Sequence, residues 1–366
     1  MKTNHNVTHK QMFFLVLQTQ IGIGVLSLPY NIYLVSGTDG WISVIIAGVL
    51  AQLFTILFWV LVKKYPDKSL FDINKLLLGK ILGNLVNLGY VLFYIFVSSL
   101  IAVLYVNVLK RWIYHETPAW VLILLLASVS VYFAKENIRK MARFFVIVSF
   151  LLIFLFLLTL NAYQTADIRY IFPIGDSGAV KILLGSKEAI MSFLGFEIML
   201  YLYPYINSQP NQVLKSVTLS NFIVTIFYSY ITFTSYVFFS PKEMKIVPEP
   251  TLYLLKAITY SVIERVDLVF LAIWVVSVIT SGLMYIYIAS SGMQNVFNKK
   301  NHRPFVPVVV LVVSSLALSP AESDQLAGKL SDYVDKLSYL FVFTIPICLL
   351  ILSFFRKGKK KHDQTF

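Results

Sequence analysis

Polar and apolar positions along this chain fall into long blocks. From Met12 to Phe355, apolar stretches of roughly 15 to 23 residues recur between short polar runs, and a helix needs about 20 such residues to cross hydrocarbon. The blocks predict spans near 12–35, 41–62, 83–109, 118–134, 144–161, 188–205, 217–239, 267–289, 304–319 and 338–355. The pattern therefore predicts an all-α polytopic membrane protein of about ten transmembrane helices. Two connections carry helical patterns of their own. Ser69-Leu70-Phe71-Asp72 reads as a capping box followed by Ile73, Leu76 and Leu77 at helical spacing, and Pro250-Thr251 opens a stretch from Leu252 to Ile263. Both are expected as short helices lying at a membrane surface.

Two spans are interrupted at corresponding places. In the first, Gly22-Ile23-Gly24-Val25-Leu26-Ser27-Leu28-Pro29-Tyr30 puts two glycines and a proline where continuous helix is needed. In the sixth, Phe193-Leu194-Gly195-Phe196-Glu197 is followed by Tyr201-Leu202-Tyr203-Pro204-Tyr205. The interrupted spans lie five apart and so run in opposite directions, as a five-plus-five inverted repeat requires. The repeats are expected over 1–162 and 188–355 within one membrane domain that ends in a basic tail, 356–366. Unwinding frees backbone N–H and C=O groups that lipid cannot satisfy, so a break must line a cavity or be packed in protein. Such paired breaks point to a solute site at mid-membrane. The competing reading of Gly22 and Gly24 is that they only let helices approach closely.

Composition narrows the alternatives. Of 366 residues, 58% are hydrophobic and 13% charged, against roughly 25% charged in an ordinary soluble domain. The net charge of +13 does not indicate nucleic acid, because the Lys and Arg sit in short clusters between apolar stretches. With a cytoplasmic N-terminus, 20 of them fall on the cytoplasmic side, around 2–10, 63–80, 135–143, 215, 299–303 and 356–361, and 11 on the other. Both termini are then cytoplasmic. Gln18, Gln20 and the Leu28-Pro29 break mark the first stretch as a retained span rather than a cleaved signal. A single cysteine, Cys348, provides no disulfide framework.

Glu197 is the one acidic residue deep inside an expected span, with no Lys or Arg comparably deep. It is protonated, bonded to freed backbone N–H groups, or facing a cationic ligand, and functional use is the default reading for such a residue. Tyr90, Tyr94, Ser98 and Ser99 in the third span, with Ser277, Thr280 and Ser281 in the eighth, are further hydroxyls for the same cavity, although membrane hydroxyls often bond neighbouring backbone instead. The expected site comprises Gly22, Ile23, Gly24, Val25, Tyr94, Ser98, Phe193, Gly195, Phe196, Glu197, Ser277 and Thr280, with Glu197 as the proton-coupling candidate. The five histidines lie in tails or loops without ligand-spaced partners, and no catalytic dyad, phosphate loop or metal cluster is present in the sequence. No enzyme, metal or cofactor is expected.

Several stretches together resemble the B subunit of Ger-type spore germinant receptors, the endospore germination permeases. They are Ile23-Gly24-Val25-Leu26-Ser27-Leu28-Pro29, Gly40-Trp41, Tyr65-Pro66-Asp67-Lys68-Ser69-Leu70-Phe71, Phe193-Leu194-Gly195-Phe196-Glu197-Ile198-Met199-Leu200, Pro250-Thr251-Leu252, Glu264-Arg265-Val266-Asp267 and Ser331-Asp332-Tyr333. The resemblance covers nearly the whole chain. It implies a LeuT-type fold, as in amino acid/polyamine/organocation transporters. It also implies residence in the spore inner membrane, a small nutrient germinant such as an amino acid, sugar or nucleoside, and partnership with an A-type membrane subunit and a C-type lipoprotein. One stretch departs from the pattern: Tyr201-Leu202-Tyr203-Pro204-Tyr205 is more aromatic. Two functions share this site chemistry, a ligand sensor read by partner subunits and a proton-coupled amino acid transporter.

Overall fold

The structure, a computed structural model, describes residues 7–22, 24–258 and 265–355. Ile23, the end of the Leu252–Ile263 stretch and the basic tail lie outside the described residues. The chain enters through α1 (His9–Gln20), started by a capping box in which Gln11 N–H donates to Thr8 Oγ1 and Thr8 N–H to Gln11 Oε1. It resumes as α2 (Gly24–Ser36), turns through 37–39 and returns as α3 (Gly40–Lys64). The short α4 (Leu70–Leu78) precedes the long α5 (Lys80–Trp112), then α6 (Ala119–Ala134), α7 (Ile138–Ser149) and α8 (Leu151–Leu158). The second half comprises α9 (Gly178–Ser192), α10 (Met199–Leu202), α11 (Pro210–Phe238), α12 (Pro250–Ala257), α13 (Val266–Val296), α14 (Phe305–Leu318), α15 (Asp324–Ser338) and α16 (Ile345–Phe355). Among the described residues there is one isolated backbone bridge, Val7 to Ile206, and no strand.

Among the described residues, seven helical stretches are long and apolar enough to cross a membrane by length and composition. Gly24–Lys64 counts as one of them although it runs through the turn at 37–39. The helix α6 is shorter, and the first and sixth spans are divided by their breaks.

Both expected surface helices are present, with different extents. In α4 the Asp72 carboxylate accepts from the Ser69 N–H at 3.1 Å and its hydroxyl at 2.7 Å. Leu70, Phe71, Ile73 and Leu77 are buried, while Leu76 points outward. Asn74 donates to Asn87 Oδ1 at 2.7 Å and Asn87 to the Phe71 carbonyl at 2.9 Å, so α4 is pinned to α5 rather than loosely solvated. The described part of the second ends at Ala257.

Two segments differ from the hydropathy reading. The sixth span begins at Gly178 rather than 188, and helix leading into the tenth begins at Asp324 rather than 338, joined to α16 by a π-helical stretch, Tyr339–Thr344. The second addition is polar because one of its faces lines a cavity through Ser331 and Asp335. Hydropathy registers contact with lipid, and a helix that turns a face to a cavity reads as a loop.

The helices pack as membrane helices do, through small residues and buried hydroxyls. At Gly48 an added Cβ would collide with the Thr225 side chain, and its absence lets α3 and α11 approach closely. The face carrying the start of α1 also carries Asp72, Ser208, Asn295 and His302, joined by His9 N–H to Ser208 Oγ, Asn295 Nδ2 to Asp72 Oδ1 and His302 Nε2 to the Ala134 carbonyl. We call this the near face. The far face holds Asp39, whose buried carboxylate accepts from Gly175 N–H at 2.7 Å and Ser177 N–H at 3.0 Å and so anchors the approach to α9. It also holds two ion pairs, Arg111 with Glu249 and Lys110 with Glu322.

Candidate functional site

The first break leaves the last carbonyls of α1 without helical donors. Three distant side chains answer them. Ser281 Oγ on α13 donates to the Thr19 carbonyl at 2.7 Å, the Tyr228 hydroxyl on α11 to the Gln20 carbonyl at 2.7 Å, and Trp274 Nε1 to the Gly22 carbonyl at 3.2 Å. Farther on, Pro29 has no N–H for the carbonyl four residues earlier. That carbonyl, of Val25, accepts from Thr251 Oγ1 on α12 at 3.1 Å.

The second break is tied within itself and to the first. Gly195 has φ +127°, a backbone region that disfavours L side chains, and an added Cβ would meet Gln20 N at 2.8 Å and the Thr19 carbonyl carbon at 2.9 Å. Only glycine brings the two breaks this close. The Glu197 carboxylate accepts from the Gly195 N–H at 2.6 Å, and Gln20 Nε2 donates to the Phe193 carbonyl at 2.9 Å. A Cβ at Gly24 would meet Ser192 Cβ at 2.9 Å.

Between the breaks and toward the far face lies a cavity of about 180 Å³. Span 1 contributes Thr19, Gln20, Gly22, Gly24, Ser27, Leu28 and Asn31, and span 6 contributes Glu188, Met191, Ser192 and Leu194. One wall is apolar, formed by Val97, Leu100, Ile101 and Leu104 of α5. Ser281 and Tyr285 of α13 and Ser331, Val334 and Asp335 of α15 complete it.

Of the expected site residues, Gly22 and Gly24 line this cavity, and Ile23 lies outside the described residues. Val25, Phe193, Gly195 and Phe196 pack beside it as parts of the breaks. Glu197 is buried behind the wall: its carboxyl holds Gly195 and is approached by the Tyr285 hydroxyl, which puts one side chain between it and the cavity. Tyr94 is fully buried, its ring centroid 5.4 Å from those of both Tyr201 and Tyr285. Ser98 and Thr280 bond backbone carbonyls of their own helices, and Ser277 Oγ accepts from Gln18 Nε2 at 3.2 Å. Those three hydroxyls do not line the cavity.

The sequence reading missed Gln20, Ser27, Asn31, Glu188, Ser192, Tyr285 and Asp335. Gln18 and Gln20 were its available signal, two amides in an apolar stretch. Among the described residues Gln20 Oε1 is buried without a partner, whereas Gln18 is consumed by Ser149 and Ser277.

A second pocket of about 420 Å³ opens at the near face, lined by Asp72, Tyr201, Tyr205, Tyr287, Asn295 and Lys299 among others. Tyr285 belongs to the far cavity, Tyr201 to the near pocket, and Tyr94 sits between them. These three rings form the partition, so the aromatic stretch noted in the sequence supplies part of the wall between two openings.

Comparison with known proteins agrees with this architecture. A family model described as "Spore germination protein" matches residues 6–326. The chain is 26% identical over 363 residues to spore germination protein B2 of Bacillus subtilis (strain 168), covering 97% of each. It is 24% identical to spore germination protein GerQB of Bacillus cereus, covering 95% of this chain and 96% of that one. Among solved structures, a Na+-coupled sialic acid symporter in a substrate-bound outward-open state superposes with a TM-score of 0.67 at 15% identity, over 94% of this chain and 80% of the other. A nucleobase-cation-symport-1 family transporter in a closed conformation gives 0.63 at 12% identity, over 93% and 78%. The likeness to symporters establishes the transporter fold.

Proposed function

The chain belongs to the spore germination protein family as a multi-pass membrane protein with a transporter's fold, and from that premise we propose that it is the ligand-reading subunit of a nutrient germinant receptor. A small solute, an amino acid by preference, binds in the cavity between the two breaks, contacting Gly22, Gly24 and the start of α2. The near face is the cytoplasmic, spore-core side, where the Lys and Arg clusters gather, and the membrane is the spore inner membrane. An A-type membrane subunit and a C-type lipoprotein read the conformational change and trigger germination. Solute binding drives such a change only through different affinities for two states.

The observation that carries this reading is the cavity itself, lined by Gly22 and Gly24 at the first break and Leu194 at the second. At about 180 Å³ it suits a small solute and lies below the roughly 300–1,000 Å³ of drug-sized pockets. Glu197 supports the second break by accepting from the Gly195 N–H.

Purified chain, alone and with its partners, provides the test by ligand binding and solute flux in proteoliposomes. Binding is expected in both preparations, without concentrative uptake. Gly24→Leu is expected to abolish binding, although its side chain must also displace Ser192. Ser27→Leu fills the cavity one turn along the same helix without that collision and should have the same effect. Normal affinity in Ser27→Leu would remove the cavity from the site. A second reading, proton-coupled amino acid transport, draws support from the contact that links Glu197 to the cavity through Tyr285. Concentrative uptake that Glu197→Gln uncouples from the proton gradient would replace the sensor with the transporter.

A further inference from the structure

The charged side chains that line the far cavity are both acidic, Glu188 on α9 and Asp335 on α15. Neither takes part in an ion pair among the described residues. Their neighbourhood does not neutralise them. Asp332 lies close enough to Asp335 to add to the negative field, and Lys187, next to Glu188 in sequence, places its ammonium over the Tyr339 ring, 5.3 Å from the centroid.

Deeper in the same cavity is an unanswered acceptor. Gln20 is 2% exposed, its Nε2 is committed to the Phe193 carbonyl, and its Oε1 has no hydrogen-bond partner among the described residues. A buried acceptor left this way costs folding free energy until a donor meets it. Two unpaired carboxylates at a mouth with low-dielectric walls focus a negative potential that concentrates cations and repels anions. The two observations are independent and ask for the same thing, a solute that brings hydrogen-bond donors and positive charge.

We propose that this cavity selects solutes carrying an ammonium group and no net negative charge. Glu188 and Asp335 receive the amine, and Gln20 Oε1 accepts a second N–H or O–H donor. The proposal rests on the reading of this cavity as the solute site. It narrows the germinant to amines, from neutral zwitterions to cations, and sets aside acidic amino acids and uncharged sugars.

The experiment uses the purified full chain and four probes, L-lysine, L-norleucine, L-glutamate and D-glucose, with affinity measured by thermal stabilisation at 50 and 500 mM NaCl. Lysine is expected to bind about tenfold more tightly than norleucine, with glutamate and glucose weaker than either. High salt shortens the screening length to about 4 Å and should compress the lysine preference. The double variant Glu188→Gln/Asp335→Asn keeps the hydrogen-bonding shapes and should narrow the lysine-to-glutamate ratio at least about tenfold, a change of selectivity that a merely structural role does not produce. Glutamate or glucose binding as tightly as lysine, an unchanged ratio in the double variant, or no binding by any probe would overturn the amine assignment. Ser27→Leu separates the two proposals. Charge-indifferent binding that it abolishes sinks the amine assignment and leaves the solute site standing, whereas binding that survives it sinks the site.

Discussion

The break after Gln20 and the break after Ser192 both interrupt a helix near a glycine, yet different sets of groups answer their freed backbone. At the first, donors arrive from Tyr228, Trp274 and Ser281, each more than 200 residues away. At the second, Glu197 takes the Gly195 N–H two residues back, and Phe193, Phe196 and Glu197 are all buried. The first break is a cavity wall whose shape depends on where α11 and α13 stand. The second is a packed plug held by its own carboxylate and by the Gln20 amide of the first break. Similar sequence signals thus serve different duties: one presents backbone to a solute, and the other gives it a surface to lie against.

Substituting Gly195 should have the largest effect. Gly195→Val forces an L side chain to φ +127° and into the backbone of Gln20, at a cost above about 4 kcal/mol. The protein should fail to accumulate in membranes; near-normal accumulation would mean that the breaks need not touch.

Next come the remote donors. Ser281→Ala removes the side-chain donor to the Thr19 carbonyl, at about 1–3 kcal/mol, whereas Tyr228→Phe leaves the Gln20 carbonyl with the Gly22 N–H and should cost about 0.5–1.5 kcal/mol; because they serve one break their effects should not add. Both should also weaken solute binding, since the carbonyls they hold belong to the cavity wall. Lost stability with unaltered affinity would erase the distinction between wall and plug.

Glu197 separates the two regions from the other side. Glu197→Ala removes the local acceptor and should cost about 1–2 kcal/mol, whereas Glu197→Gln retains an oxygen for Gly195 and should cost under about 0.5 kcal/mol. Neither is expected to alter solute affinity as the remote-donor variants do. An affinity loss in Glu197→Gln equal to that of Ser281→Ala would place the carboxyl in the site itself.

The smallest effect is a pH control. His302, in the near-face loop before α14, is held below its ordinary value of 6.5 mainly by burial. A depressed histidine favours the fold while neutral, so its contribution is present above pH 6.5 and lost as pH falls below it, where the unfolded chain takes up the proton. His302→Gln should flatten that slope in thermal melts between pH 7 and 5. Any pH dependence that remains belongs to other titratable groups, and a slope unchanged by the substitution would show that His302 contributes nothing.

By itself, the sequence determined the helical membrane class, the places of the two breaks, the capped α4 and Glu197 as a buried acid. Each is local information: apolar block length, glycine and proline in a helix, Ser69 three residues before Asp72. It also carried enough of the family pattern to indicate a permease-like germination protein. What it misread were the start of span 6, which lies at Gly178, and α15, whose polar face lines a cavity that hydropathy cannot tell from a loop. Only the tertiary structure decided which polar groups meet. It consumed Ser98, Ser277 and Thr280 in helix and interhelical bonds, left Gln20 Oε1 unpaired, and brought Glu188 and Asp335 to one mouth from helices far apart in the chain. Hydrogen bonds across hundreds of residues depend on where helices cross, and no spacing along the chain encodes that crossing.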